Sequence, residues 1–192
     1  MFTVASPRMP SHRLVRGAVA LAVWGGLAGC ASMGPEECRV ADWYQVGQAD
    51  GARGEEATAR LSAYVQDCGK VGVQPVLALY RQGWQQGQQI FCTPASGWRE
   101  GVAGRWYKAD ACDTLPAQAA AFRQALQAGY EVYQTRERIG QNHDSILRLE
   151  RRLRDKHTSD EERSRTRMRL HFIDMEQSLL RRQLNEQERW AP

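Results

Sequence analysis

Four cysteines, Cys38, Cys68, Cys92 and Cys112, fall within 75 residues, and the 80 residues after them hold none. In an exported chain an even number of cysteines reads as a disulfide framework, and two bridges in so short a stretch restrict the fold to small elements packed around them. Three pairings are open. Closing the shorter loops costs least, which favours Cys38–Cys68 with Cys92–Cys112. A zinc site or a redox pair fits poorly, because no CxxC occurs and no histidine lies near these positions.

The framework presumes export, and the N-terminus supplies the signal. Arg8, Arg13 and Arg16 precede an apolar run, Gly17 to Leu27, that is too short to span a bilayer, which needs about 20 residues. The run ends in Leu27-Ala28-Gly29-Cys30, which resembles the lipobox of bacterial lipoproteins. The resemblance implies removal of residues 1–29 and acylation of Cys30. Ala31 and Ser32 follow, with no aspartate directly after the cysteine. By similarity to Gram-negative sorting, that implies the outer membrane, facing the periplasm. Residues 30–37 are then expected to be a short polar tether.

Charge limits the partners. The whole chain has 26 basic and 22 acidic residues, but three arginines leave with the signal, so the mature balance is near neutral. That argues against a general polyanion binder, and the compartment argues against nucleic acid. The distribution is uneven. Residues 30–116 carry 8 basic and 10 acidic groups, and residues 117–192 carry 15 and 12.

Glu55 to Cys68 has helical spacing with Gly69 as a stop, and Pro75 can begin a second helix. Cys92 to Gly97 reads as a turn. Tyr44-x-x-Gly47-x-x-x-Gly51 recurs as Tyr80-x-x-Gly83-x-x-x-Gly87, with Trp98-x-x-Gly101-x-x-Gly104 as a contracted third copy. Glycines so spaced share one helix face and admit close approach of another backbone or a ring. Trp43, Tyr44, Tyr80, Trp84, Trp98, Trp106 and Tyr107 are expected core. The alternative is an aromatic groove for glycan or peptide, with Trp84 and Trp98 as contacts. The run from Cys38 through Cys112, above all the Phe91-Cys92-Thr93-Pro94 stretch with its following glycines, Tyr107 and Cys112, resembles the bacterial lipoprotein family catalogued as domain of unknown function 2799. The resemblance implies export and a shared fold, and no activity.

From Ala117 the chain becomes long-periodic and charged. Ile139, Ile146, Leu149 and Leu153 step helically, and Lys156-His157-Thr158 interrupts. Ser159 to Glu162 is a capping box, after which Met168, Phe172, Met175 and Leu179 step by four, three and four. The two stripes are expected to meet as an antiparallel coiled-coil hairpin. The expected fold is therefore all-α: a small disulfide-stapled helical domain over residues 38–115, then the hairpin over residues 116–192, separable from the core.

No catalytic constellation appears: no phosphate loop, no nucleophile elbow, no metal-ligand helix motif. The expectation is a non-enzymatic binding or scaffolding part of the cell envelope, without metal or cofactor. It would be held to the membrane by its lipid and would contact an envelope protein or a cell-wall component. The alternative is a glycan- or peptidoglycan-binding or cell-wall-modifying factor. Arg148, Arg151, Arg152 and Arg154, toward the hairpin tip, are the candidate contacts for an acidic partner.

Overall fold

The computed structural model describes residues 32–189 and 191–192. The expected signal peptide and the expected lipid attachment at Cys30 lie outside them. Among the described residues every regular element is helical: α1 Pro35–Val40, α2 Trp43–Ala52, α3 Ala57–Gly69, α4 Leu77–Phe91, α5 Pro94–Val102, a 3-10 turn Trp106–Lys108, α6 Pro116–Arg154 and α7 Asp160–Glu188. The helix over Glu55 to Cys68 forms nearly as expected, and the one expected from Pro75 begins two residues later. The expected turn at Cys92 to Gly97 is instead the start of α5. Thr93 accepts from the Ser96 N–H and Pro94 takes the first helical position, where its missing N–H is not needed.

Cys38 is joined to Cys68 and Cys92 to Cys112, with Cα separations of 5.4 and 5.6 Å. Each bridge sits in its own apolar cluster. One holds Cys38, Trp43, Tyr64, Cys68 and Tyr80; the other holds Phe91, Cys92, Cys112, Ala119, Phe122 and Leu126.

Glycines explain how short helices with few apolar residues make these clusters. Helices α2 and α4 run parallel, backbone against backbone. Gly47 and Gly51 face the carbonyls of Tyr80 and Trp84, and Gly83 and Gly87 face those of Tyr44 and Gln48. A Cβ at any of the four would lie under 3 Å from a backbone oxygen. The same arrangement recurs between α5 and α6, where Gly97 and Gly101 face the carbonyls of Phe122 and Leu126, and Gly129 faces that of Trp98. The second copy is therefore Gly97-x-x-x-Gly101-x-x-Gly104, matching Gly47-x-x-x-Gly51-x-x-Gly54, and not a contracted motif starting at Trp98. The terminal glycines match too: Gly54 (φ +64°) lies against the Phe91 ring and Gly104 (φ +74°) against that of Tyr133.

Two expected boundaries shift. Of the expected tether, residues 32–37 are tied to the fold: Ser32 donates its backbone N–H and hydroxyl to Asp67 (2.7 and 2.8 Å) and α1 starts at Pro35. The division at residues 115/116 fails because Ala119, Phe122, Leu126, Gly129 and Val132, all on the first turns of α6, are buried. A cut there would open the second cluster. Beyond Thr135 the character of α6 changes, and α7 returns antiparallel along it, with ion pairs Arg138–Glu176 (2.5 Å) and Arg152–Glu162 (2.5 Å) across the two helices.

On α6 the residues turned inward are Thr135, Ile139, Asn142, Ile146, Leu149 and Leu153. On α7 they are Thr166, Leu170, Ile173, Gln177, Leu180, Leu184 and Gln187. The stripe expected to form the seam, Met168, Phe172, Met175 and Leu179, is 44–60% exposed, since it lies two positions round the helix from the inward set. Ser159 caps α7, but Glu162 turns to Arg152 and leaves the capping box half made. Arg163 closes the turn by donating to the carbonyls of Leu153 (2.5 Å), Asp155 (2.7 Å) and Thr158 (3.0 Å).

Candidate functional site

Two surface features carry polar chemistry. The first lies where the two glycine-seamed pairs meet. Lys108, 9% exposed, reaches from the 3-10 turn to the Gly54 turn and donates to the carbonyls of Arg53 (3.0 Å) and Gly54 (2.8 Å) and to Glu55 Oε1 (3.3 Å). Trp84 Nε1 donates to the Glu55 carbonyl (2.9 Å). Above these contacts is a cleft of ≈ 410 Å³ with Trp84 and Tyr107 among its lining residues, together with Glu55, Glu56 and Asp110. An aromatic face beside carboxylates suits a sugar ring or a cationic peptide. Of the two tryptophans singled out in the sequence, Trp84 lines this cleft. Trp98 does not: it is half-buried on α5, its carbonyl against Gly129. Trp106 and Tyr107, expected in the core, are 45% and 76% exposed.

Beneath the cleft's first helix pair, Asp50 is fully buried and accepts from Tyr64 and Tyr80 Oη, each at 2.9 Å, and from Arg53. Burial foremost, then the Asp50 carboxylate, pushes both phenols up. In the second pair Glu100 occupies the position of Asp50 and is held by Arg105 (2.6 and 3.1 Å). Both carboxylates are answered within the fold, so they read as cross-links between elements. Sequence inspection passed over Asp50; its place one residue before the seam glycine Gly51, repeated as Glu100 before Gly101, is the signal that marks it.

The second feature is on the α6–α7 pair. Of the four tip arginines, Arg148 and Arg152 come together with Arg169 of α7 around a depression of ≈ 350 Å³, completed by Ser145, Leu149 and Ile173. Arg151 and Arg154 do not line it; Arg154 lies 3.8 Å from Glu150. An adjoining depression adds Glu162, Arg165 and Thr166. Arg169 is brought to the first depression by the antiparallel return of α7.

No group of three or more His, Cys, Asp or Glu side chains able to hold a metal occurs among the described residues, and no helix there is long and apolar enough to cross a membrane. What the described residues define is an all-helical, disulfide-stapled fold. Residues 42–131 match the model of a protein family of unknown function (DUF2799), the family that this stretch of sequence resembles. The match spans both glycine-seamed pairs and stops where α6 leaves the core. No curated protein and no solved structure matches this chain.

Proposed function

We propose that this chain is a lipoprotein of the cell envelope, anchored through Cys30 at the outer membrane and facing the periplasm, that binds or scaffolds a partner without catalysing a reaction. The observation that carries this reading is the packing of α7, whose substantial contacts are with α6 alone. A helix that completes no core offers its length as surface. In this reading α6 beyond Thr135 and α7 form an antiparallel coiled-coil hairpin. Its support is the inward set on both helices, which alternates steps of three and four. The hairpin is the contact arm for an envelope protein or a cell-wall component, with its arginines toward acidic groups.

A second reading has its own observation, the cleft beside Trp84 and Tyr107. There the protein holds cell-wall glycan against the aromatic faces. Retention of the mature protein on immobilised peptidoglycan separates the two. Loss of retention on reversing Arg148 and Arg152 to Glu supports the arm. Loss in Trp84→Ala supports the cleft. For the anchor, Cys30→Ala should remove the protein from the outer-membrane fraction; unchanged fractionation would contradict it.

A further inference from the structure

We propose that the depression bounded by Arg148, Arg152 and Arg169 is a binding site for a phosphate group, an inference that rests on the arm reading and gives the arm a ligand chemistry. Arg148, Arg152, Arg169 and Ser145 line the depression together with Leu149 and Ile173, and no Asp or Glu is among its lining residues. Farther along the same two helices the charges are matched, Arg138 with Glu176 and Arg136 with Glu188; at the depression Arg152 also reaches Glu162, while Arg148 and Arg169 meet no carboxylate among the described residues. Arg148 and Arg152 are a like-charge pair four apart on one helix, which costs stability. Arg169 has no hydrogen-bond or carboxylate partner among the described residues, and Arg148 has only the Ser145 hydroxyl (2.8 Å).

Interaction with the helix macrodipole accounts for the arginines of the last turn of α6, Arg151, Arg152 and Arg154. It accounts for neither Arg148 nor Arg169, which lie outside the last turn of either helix. A bound anion would offset the repulsion at the depression itself. The donor set favours phosphate over carboxylate. A carboxylate presents two oxygens in one plane and is satisfied by a single guanidinium fork. A phosphate group directs its oxygens around a tetrahedron, suiting guanidinium forks that arrive from two helices; the Ser145 hydroxyl, which donates to the Gln141 carbonyl and accepts from Arg148, holds one of those forks in place.

The shared chemistry is a phosphate mono- or diester, carried by a lipid headgroup or by a soluble ligand. The test uses the mature full chain at fixed ionic strength, so that screening is constant. Arginine Nε–Hε resonances are followed while inorganic phosphate replaces chloride. Saturable shifts are expected at Arg148, Arg152 and Arg169. Arg169→Gln should weaken binding about ten-fold, the loss of one charge-assisted hydrogen-bonding group, and Arg151→Gln should leave it unchanged. Vesicles of phosphatidylcholine with and without phosphatidylglycerol then separate the sources. Capture dependent on Arg169 and on the anionic lipid assigns a headgroup; saturable binding of phosphate alone assigns a soluble ligand. Shifts that do not saturate, that spread alike over all arginines, or that survive Arg169→Gln overturn the site. Retention on peptidoglycan judges the arm separately, so failure of one is distinguishable from failure of the other.

Discussion

Gly51 and Gly140 are both interior to helices, and their surroundings give them opposite roles. A Cβ on Gly51 would run into the Trp84 carbonyl, whereas one on Gly140 meets nothing within 4 Å. Gly51→Ala should therefore destabilise by about 3 kcal/mol or prevent folding, as overpacking against backbone cannot be relieved by a rotamer change. Gly140→Ala should stabilise by about 0.5–1 kcal/mol through helix propensity and chain entropy. Urea melts of the two variants check both signs. The Gly-x-x-x-Gly spacings were legible in the sequence, because a repeat of small residues needs no knowledge of the partner. What they face was not legible, since α4 and α6 supply the opposing carbonyls from about 30 residues away. Asp67 is a second case at this scale. Hydrogen bonds from Lys70, then from Ser32, hold its carboxyl down to about 2. The sign follows: a depressed carboxyl favours the folded state above its ordinary value of 3.8, and that contribution is lost as pH falls toward 2. The Ser32 amide resonance should titrate near pH 2. A midpoint close to 3.8 would mean that residue 32 is not pinned.

Among the elements, α7 shows how far pattern reading reaches. Two apolar sets share this helix, and the inward one contains Thr166 and Gln177, so it looks the weaker in sequence. Met168, Phe172, Met175 and Leu179 look the stronger because all four are large and apolar, yet they face out. Periodicity identifies a stripe; it does not say which stripe a neighbouring helix covers. On α6 the stripe of Ile139, Ile146, Leu149 and Leu153 is half-buried, and no second apolar stripe competes with it there. Helix α6 runs unbroken through Gly129 and Gly140 over 39 residues, about 58 Å. Leu180, 3% exposed, should cost about 2–4 kcal/mol on replacement by Ala. Phe172→Ala should change stability by under about 0.5 kcal/mol. Equal losses at the two positions would show that α7 is turned differently on α6.

At the largest scale, the described residues form two glycine-seamed helix pairs, each with one disulfide in its apolar cluster, followed by α7 packed along the far part of α6. The duplicated pairs place Asp50 and Glu100, Gly54 and Gly104, and Phe91 and Tyr133 at corresponding positions. The disulfide framework and the helical class were legible, because cysteine number and glycine spacing are local properties of the sequence. The limit of the core was not. Composition changes at Pro116, but Phe122 and Leu126, already in the charged half, fill the second cluster. Thermal melting of the oxidised chain from residue 31 truncated after Gln134, beside one truncated after Asp113, tests the division of core from arm most directly. The account predicts a cooperative melt for the longer truncation, with both disulfides intact and a modestly lower midpoint, and loss of cooperativity for the shorter. A longer truncation that aggregates or melts without a transition would contradict it.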